Sequence, residues 1–357
     1  MTTPPAAKKL RVLVVDDSRI VRHIITDALS ASTDIQVVGH ASNGEQALRM
    51  VAELDPDAIT LDLEMPKMGG FTFLRLLLAR RSTPVIVLST HDGADNVFKA
   101  LELGAVDFIP KPQDPLISPE PFRAELVQKV LMTRHLVQRP RPSEMPPRRT
   151  GIDQPPPSVP PRFLVVVASS TGGPTALLHL FSRFPPGYPG AVLVAQHMAP
   201  NFTRTFAERL DRVAAMTVRE AADGELVLAG RAYVCPGGSC MSIRRMNGFL
   251  LLDVRPPAPT DRYVPSANRL FTSAADVFGA RAHAVILTGM ADDGVVGATS
   301  VRRAGGTVLV ESEETAVVYG MPGAAVRAGV ASKVLPLHEI ANAVAALGSA
   351  SGDPSRN

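Results

Sequence analysis

Two adjacent serines at the end of an apolar run are the residues of this 357-residue chain best placed to do chemistry. Residues 163–174 read Phe-Leu-Val-Val-Val-Ala-Ser-Ser-Thr-Gly-Gly-Pro, an apolar run of strand length followed by hydroxyls, paired glycines and a helix-opening proline. Such a sharp turn from strand to helix exposes a nucleophile, here Ser169 or Ser170. A helix N-terminus rich in glycine also favours anions, so the same turn would suit a phosphate.

A histidine and two carboxylates follow other predicted strands in the same half of the chain. His197 comes just after the run at residues 191–195, and Asp292 and Asp293 follow residues 284–287 by a short loop. The carboxyl ends of parallel strands share one rim, so these groups are predicted to meet the serines there. Serine attacks well when a histidine takes its proton and a carboxylate orients that histidine. A structural histidine and a turn-forming aspartate are the alternatives.

The usual glycine motifs do not decide between these two uses of the turn. The stretch lacks G-x-G-x-x-G and G-x-x-x-x-G-K-[ST], which weakens a nucleotide site. It also lacks the G-x-S-x-G elbow of many hydrolases, so motif rules alone leave acyl transfer open.

The first half of the chain places acids, a hydroxyl and a lysine after its strands in the same way. Asp16 and Asp17 follow the first run, Asp62 the third, Ser89 the fourth and Lys111 the fifth. Three converging carboxylates repel one another unless a hard cation such as Mg²⁺ is bound. The lysine and hydroxyl supply the charge and donor that a transferred phosphoryl group needs. Helix capping explains an isolated aspartate, but not groups at four strand ends.

Both halves alternate apolar runs with helical patterns, which predicts parallel sheets covered on both faces. The first half has runs at residues 10–15, 36–38, 58–61, 85–88 and 106–109. The second has runs at residues 163–168, 191–195, 217–219, 232–235, 284–287, 307–310 and 333–336. Asn247-Gly248 between two further runs predicts a hairpin with a type I′ turn. The predicted fold class is α/β, with two doubly wound parallel-sheet domains.

A Pro/Arg-rich linker separates the two halves. Nine prolines lie in residues 140–161 with few apolar residues, which indicates a semi-rigid spacer rather than a packed core. A docking peptide is the alternative. The predicted divisions are a tail at 1–9, a domain at 10–132, the linker at 133–161, a domain at 162–349 and a tail at 350–357.

The basic charge of the chain belongs to that linker. The net charge is +3, but residues 133–162 hold six arginines against Glu144 and Asp153, a net +4 that leaves the remainder at −1. Nucleic-acid binding is therefore disfavoured. Cys235 and Cys240 form no C-x-x-C pair, which fits a reducing compartment. A signal core and a membrane-length apolar run are both missing, so we expect a cytoplasmic protein without direct membrane insertion.

Across residues 10–131 the first half resembles the receiver domain of response regulators. The resemblance implies that Asp62 is the phosphoacceptor and that Asp16, Asp17 and Asp62 hold Mg²⁺. It implies phosphoryl contacts from Ser89 and Lys111, an aromatic switch at Phe108, and a histidine kinase as phosphodonor.

The second half resembles the chemotaxis protein-glutamate methylesterases. The motifs that carry the resemblance are residues 168–174, Gln196-His197-Met198, Cys235-Pro236-Gly237-Gly238 and residues 287–294. The resemblance implies Ser170 as nucleophile, His197 as base and Asp293 as its orienting acid. It also implies Thr171 and the backbone N–H of Met290 at the oxyanion site. The chain departs from the family pattern at Ser169, a competing hydroxyl, and at Ala291, where glycine is common.

Together the two resemblances imply a phosphorylation-activated hydrolase that removes methyl esters from glutamates of methyl-accepting chemoreceptors, releases methanol and deamidates receptor glutamines. They imply Mg²⁺ in the receiver, no cofactor in the esterase site, and a chemotaxis histidine kinase as partner. We expect the unphosphorylated receiver to restrain the esterase by packing over its catalytic rim. The rival functions are a non-catalytic response regulator whose second domain binds a receptor or kinase, and a DNA-binding output domain.

Overall fold

The computed structural model describes residues 8–90, 93–112, 120–136 and 159–350. The described residues form two compact units that divide after residue 141. Most of the predicted linker, residues 137–158, lies outside the described ranges, as do residues 1–7 and 351–357 of the predicted tails.

The first unit is built on a five-stranded parallel sheet in the order β2-β1-β3-β4-β5. Its strands are β1 (Leu10–Val15), β2 (Ile35–Ala41), β3 (Ala58–Asp62), β4 (Val85–Ser89) and β5 (Asp107–Pro110). Its helices are α1 (Arg19–Ser30), α2 (Gly44–Leu54), α3 (Gly70–Leu78), α4 (Ala94–Leu103) and α5 (Glu120–Met132), the last followed by a 3₁₀ turn at Thr133–His135. Helix α1 packs beside α5, whereas α2 and α4 pack beside α3, so both faces of the sheet are covered.

The second unit is built on a seven-stranded parallel sheet in the order β14-β13-β12-β6-β7-β9-β8. Its strands are β6 (Leu164–Ser169), β7 (Ala191–Gln196), β8 (Thr217–Glu220), β9 (Arg231–Val234), β12 (Ala282–Ile286), β13 (Thr307–Glu311) and β14 (Lys333–Leu335). A separate antiparallel hairpin joins β10 (Cys240–Met246) to β11 (Phe249–Arg255). The helices are α6 (Gly173–Phe181), α7 (Phe202–Val213), α8 (Ala267–Phe278), α9 (Val295–Arg303), α10 (Gly320–Arg327) and α11 (Leu337–Ala350), with a 3₁₀ turn at Gly279–Arg281.

The two parallel sheets confirm the predicted fold class. Their central strands are buried along their whole length, as in β6, because helices cover both faces and leave no polar side to the sheet. The predicted hairpin is also present: Asn247 and Gly248 have φ of +50° and +82°, the left-handed backbone that a type I′ turn needs. Among the helices of the described ranges, none combines the length and apolar content that a membrane crossing requires.

In both sheets the chain reverses its direction of winding at one point, where polar residues collect. In the second unit β6 lies between β7 and β12, so strands later in the sequence extend to both sides of it. In the first unit β1 lies between β2 and β3. At such switch points the loops beyond adjacent strands part in opposite directions and leave a crevice at the carboxyl rim. Any site in either unit is therefore expected beyond β6 and β12, or beyond β1 and β3.

Candidate active site

The two serines of the strand-to-helix turn have different surroundings. Ser169, the last residue of β6, is fully buried, and its hydroxyl donates to Gln196 Oε1 at 2.6 Å. Ser170 is partly exposed, and its backbone N–H donates to the carbonyl of Thr288 beyond β12 at 3.0 Å. Within the described residues the Ser170 hydroxyl makes no hydrogen bond. It is therefore the hydroxyl available to a substrate at the rim, whereas that of Ser169 is committed to the protein.

Paired glycines allow the turn after Ser170 to close tightly. Gly172 has φ of +78°, a left-handed conformation that residues with a Cβ rarely adopt. A Cβ at Gly173 would lie 2.1 Å from Gln196 Oε1, so the start of α6 can approach β7 only without a side chain there. The glycines thus serve close packing at the turn.

His197 and Asp293 form the central hydrogen-bonded pair of the rim. His197 follows β7, and its Nε2 lies 2.9 Å from Asp293 Oδ2. Asp293 is fully buried and accepts three backbone N–H bonds, from Ala267 at 2.8 Å, Asn268 at 3.0 Å and Gly294 at 2.9 Å.

The surroundings of Asp293 define which nitrogen of His197 is free. Ala267 and Asn268 open helix α8, whose N-terminus favours a negative charge, so Asp293 is held as an acceptor-only carboxylate. Nε2 of His197 must then carry a proton and donate it to Asp293. In the neutral imidazole the base is consequently Nδ1. Ser170 and His197 form no hydrogen bond with each other in the described part of the chain. Catalytic hydrogen bonds often form only when substrate is bound.

A loop beyond β12 lies beside Ser170 and carries Met290. The backbone N–H of Met290 has no partner among the described residues, as an oxyanion donor requires. Ala291, next to it, has φ of +73°, the conformation for which glycine is the usual residue.

Thr288 anchors this loop to the rest of the rim. Its hydroxyl donates to the carbonyl of Thr171 at 2.9 Å and accepts from the N–H of Val318 at 2.8 Å. Its own N–H donates to Glu311 Oε2 at 2.7 Å, and Glu311 is fully buried at the end of β13. The loop and the turn of Ser170 are therefore held by one hydrogen-bonded threonine.

Sequence reasoning missed three residues of this rim: Tyr263, Thr288 and Glu311. The ring of Tyr263 stacks on that of His197 with centroids 5.6 Å apart. A glutamate that ends an apolar strand, as Glu311 does, was a usable signal because buried acids need partners. Tyr263 had no comparable signal. Thr288 lies within the motif at residues 287–294, but the sequence does not indicate its partners, which are distant in the chain.

The carboxylates of the first unit meet at its switch point. Asp16, Asp17 and Asp62 each place an oxygen within 4.8 Å of the others. Lys111 Nζ contacts two of them, Asp16 Oδ2 at 2.8 Å and Asp62 Oδ2 at 2.7 Å. Three carboxylates around one rim fit a hard divalent cation, because Mg²⁺ prefers oxygen ligands.

The charges of this cluster are only partly balanced. Burial raises the pKa of Asp16, although Lys111 acts in the opposite direction. Burial would lower the pKa of Lys111, but the carboxylates of Asp16 and Asp62 outweigh it and raise that pKa. Lys111 is therefore a permanent cation, and the cluster retains an excess of negative charge that a metal ion would neutralise.

The remaining receiver residues lie on the adjacent strands. Ser89 ends β4, is buried, and donates its hydroxyl to the carbonyl of Thr90 at 3.3 Å. Phe108 in β5 is buried and packs edge-on against Phe98 with ring centroids 6.3 Å apart. The structure gives these positions, and their roles in phosphoryl transfer and switching stay predictions.

Both cysteines are free and buried. Burial raises the pKa of the Cys235 and Cys240 thiols, so both stay protonated and unreactive near neutral pH.

Comparison with known proteins gives matches over nearly the whole chain. Residues 165–344 match the family described as CheB methylesterase, and residues 12–117 match the response regulator receiver domain. A protein-glutamate methylesterase/protein-glutamine glutaminase of Myxococcus xanthus is 47% identical over 95% of this chain and 97% of its own. A relative of the same name from Pyrococcus horikoshii is 37% identical over 96% and 94%. The crystal structure of the Thermotoga maritima CheB methylesterase catalytic domain is 38% identical, with a TM-score of 0.51, over 52% of this chain and 98% of its own.

Proposed function

Because this chain belongs to the CheB methylesterase family and carries a receiver domain, we propose that it hydrolyses glutamate methyl esters of chemoreceptors under the control of phosphorylation, using Ser170, His197 and Asp293. Membership of the family indicates that the chain is a carboxyl-ester hydrolase. The observation that supports the mechanism best is the His197–Asp293 pair on the same rim as the uncommitted hydroxyl of Ser170. Deamidation of receptor glutamines is the second reaction, because an amide presents the same carbonyl to the same nucleophile.

The first half of the proposed reaction forms an acyl-enzyme. Ser170 Oγ attacks the γ-carbonyl carbon of the glutamyl ester while Nδ1 of His197 takes the serine proton. The developing imidazolium is stabilised by Asp293, and the N–H of Met290 donates to the oxyanion, supported by Thr171. The C–O bond to the methoxy group then breaks, His197 gives its proton to the departing oxygen, and methanol leaves.

The second half regenerates the enzyme with water. His197 takes a proton from water, the hydroxide attacks the acyl carbon, and the ester bond to Ser170 breaks. His197 protonates Ser170 Oγ, the new carboxylic acid releases its proton to water, and a glutamate carboxylate remains on the receptor. The chain's own residues supply each of these groups.

Control of the reaction is assigned to the first unit. A histidine kinase supplies the phosphoryl group, which Asp62 accepts, with Lys111 and Ser89 as donors to its oxygens. Asp16, Asp17 and Asp62 would hold Mg²⁺, which shields the negative charges that meet during transfer.

Methanol release from methylated receptor membranes, with and without a small phosphodonor, tests the proposal. We expect Ser170→Ala to lose about 10³-fold or more in rate and Ser169→Ala to retain activity, since the latter hydroxyl only bonds Gln196. Asp62→Asn should retain the basal rate but lose stimulation by the phosphodonor. Full turnover by Ser170→Ala would contradict the assignment of Ser170 as nucleophile. Loss of activity in Ser169→Ala alone would assign the nucleophile to Ser169 instead.

The non-catalytic alternative is not favoured, because relatives that match along nearly the whole chain are named as esterases. It predicts that Ser170→Ala leaves signalling intact. The same assay therefore separates the two.

A further inference from the structure

A single hydrogen bond does not fix the plane of the His197 ring. Nε2 is bound to Asp293, but the ring remains able to turn about that bond. Turning would carry Nδ1 away from the nucleophile. A base that must accept a proton along one direction needs a second constraint, acting on the face of the ring.

Tyr263 contacts that face. The two rings are nearly parallel, with an interplanar angle of 17° and centroids 5.6 Å apart. Tyr263 belongs to the loop before α8, whereas His197 follows β7. The contact thus joins the base to a different segment of the rim.

Asp292 holds Tyr263 in turn. The tyrosine hydroxyl donates to Asp292 Oδ1 at 2.8 Å. Arg262 lies 3.7 Å from the same carboxylate, and its guanidinium carbon lies 5.2 Å from the centre of the Tyr263 ring. Burial and the hydrogen bond to Asp292 raise the pKa of Tyr263, so the hydroxyl remains a donor at neutral pH.

We propose that the dipeptide Asp292-Asp293 fixes the imidazole of His197 twice, with Asp293 at the edge of the ring and Asp292, through Tyr263, at its face. Tyr263 and Asp292 are positioning residues, because neither supplies a proton or a charge to the reacting atoms. The inference rests on the proposed function, since it assigns them to the base of that reaction. It also accounts for Asp292, which takes no part in the hydrogen bond between Asp293 and His197.

Three variants of the full chain separate the contribution of the Tyr263 ring from that of its hydrogen bond to Asp292. Tyr263→Phe keeps the stacked ring but loses the hydroxyl, and we expect kcat to fall about two- to tenfold. Tyr263→Leu removes the ring, and we expect kcat to fall about 10- to 100-fold with KM unchanged within about twofold. Asp292→Ala should resemble Tyr263→Phe, and it keeps the test open if Tyr263→Leu fails to fold. Phe249→Leu, at an exposed aromatic on the hairpin tip, is the matched control.

Nitrogen NMR of the labelled His197 ring provides a readout besides turnover. The wild type and Phe249→Leu should each give one sharp pair of ring signals, whereas Tyr263→Leu and Asp292→Ala should broaden or split them. Wild-type kcat and wild-type ring signals in the folded variants would overturn the inference, as would a loss confined to KM. A wild type that releases no methanol contradicts the proposed function instead, and the ring signals then still decide the positioning.

Discussion

Asp16 and Asp293 are both fully buried carboxylates, but their neighbours compensate the negative charge of Asp293 better than that of Asp16. Asp293 accepts three backbone N–H bonds and one from His197, so its charge is compensated on every side. Asp16 shares one lysine with Asp62, and burial raises its pKa. In a cation site the carboxylates repel one another until the cation binds, whereas a carboxylate that orients a histidine needs its charge compensated by the protein itself.

At the residue scale, Asp16→Asn is expected to stabilise the Mg²⁺-free protein by about 1 kcal/mol at neutral pH. Because the pKa of Asp16 is raised, its side chain is protonated more readily in the folded state than in the unfolded chain. Its contribution to stability is therefore complete below the ordinary aspartate pKa and is lost as the pH rises through the raised value. The advantage of Asp16→Asn should accordingly shrink in acid, as urea unfolding at several pH values would measure.

The same variant should bind Mg²⁺ more weakly, because it removes one of three carboxylate ligands. Asp27→Asn on α1 is the control, since that side chain is half-exposed and lies outside the cluster. If Asp16→Asn has a lower free energy of unfolding than the wild type at neutral pH, the negative charge of Asp16 is better compensated than its raised pKa indicates.

At the scale of elements, the loops beyond β6 and β12 act as one structure because Thr288 joins them. Strand pairing brings the two segments to the same rim, but it does not fix the loops beyond the last paired residues. Buried hydrogen bonds do, because leaving either partner unsatisfied costs about 1–3 kcal/mol.

Replacing Thr288 by valine tests whether these hydrogen bonds hold the two loops together. Valine keeps the shape but removes the hydroxyl that donates to the carbonyl of Thr171 and accepts from the N–H of Val318, so we expect a loss of about 2–4 kcal/mol in stability. Thr288→Ser retains the hydroxyl and should lose far less. Equal stability of the two variants, measured by thermal unfolding, would show that packing rather than hydrogen bonding holds the rim.

Replacing Ala291 by glycine should remove strain from the loop that carries Met290. A left-handed alanine costs about 1–2 kcal/mol, and the extra entropy of an unfolded glycine offsets about 0.5–1 kcal/mol. We therefore expect a net gain of up to about 1 kcal/mol, visible as a higher Tm. Ala298→Gly, at a buried position within α9, is the control and should lower Tm. A fall in Tm for Ala291→Gly would mean that its methyl group contributes packing that exceeds the strain.

At the scale of the whole molecule, two units with separate sheets and cores divide the work between phosphoryl transfer and ester hydrolysis. The second unit begins by residue 159, because the carbonyl of Val159 accepts from the N–H of Ala229 at 2.9 Å. A fragment of residues 159–357 thus contains every described residue of the esterase unit.

That fragment is expected to release methanol faster than the unphosphorylated full chain, since it lacks the receiver that we propose restrains the esterase. It should also be insensitive to a phosphodonor. Circular dichroism and the unchanged inactivity of its Ser170→Ala variant serve as controls. A folded fragment with equal or lower activity would rule out restraint by the receiver and favour a receiver that activates the esterase directly.

The sequence by itself determined the α/β class, the two sheets and the strand ends from which the site residues come. Apolar runs of strand length alternating with amphipathic helices allow little else, and residues such as Asp62 and His197 are placed by the end of a local run. The hairpin turn at Asn247-Gly248 was predicted to the exact residues, because turns are local chemistry.

Only the tertiary structure decided which of these residues have partners. The family resemblance favours Ser170 over Ser169, but the difference in their surroundings arises from Gln196, which is 27 residues from Ser169 in sequence. Tyr263, Thr288 and Glu311 each act through a contact between segments far apart in the chain. The motif that contains Thr288 and the apolar run that Glu311 ends therefore do not identify their partners. Burial and hydrogen bonding at a rim depend on strand order, and strand order is set by the packing of the whole sheet rather than by any one segment.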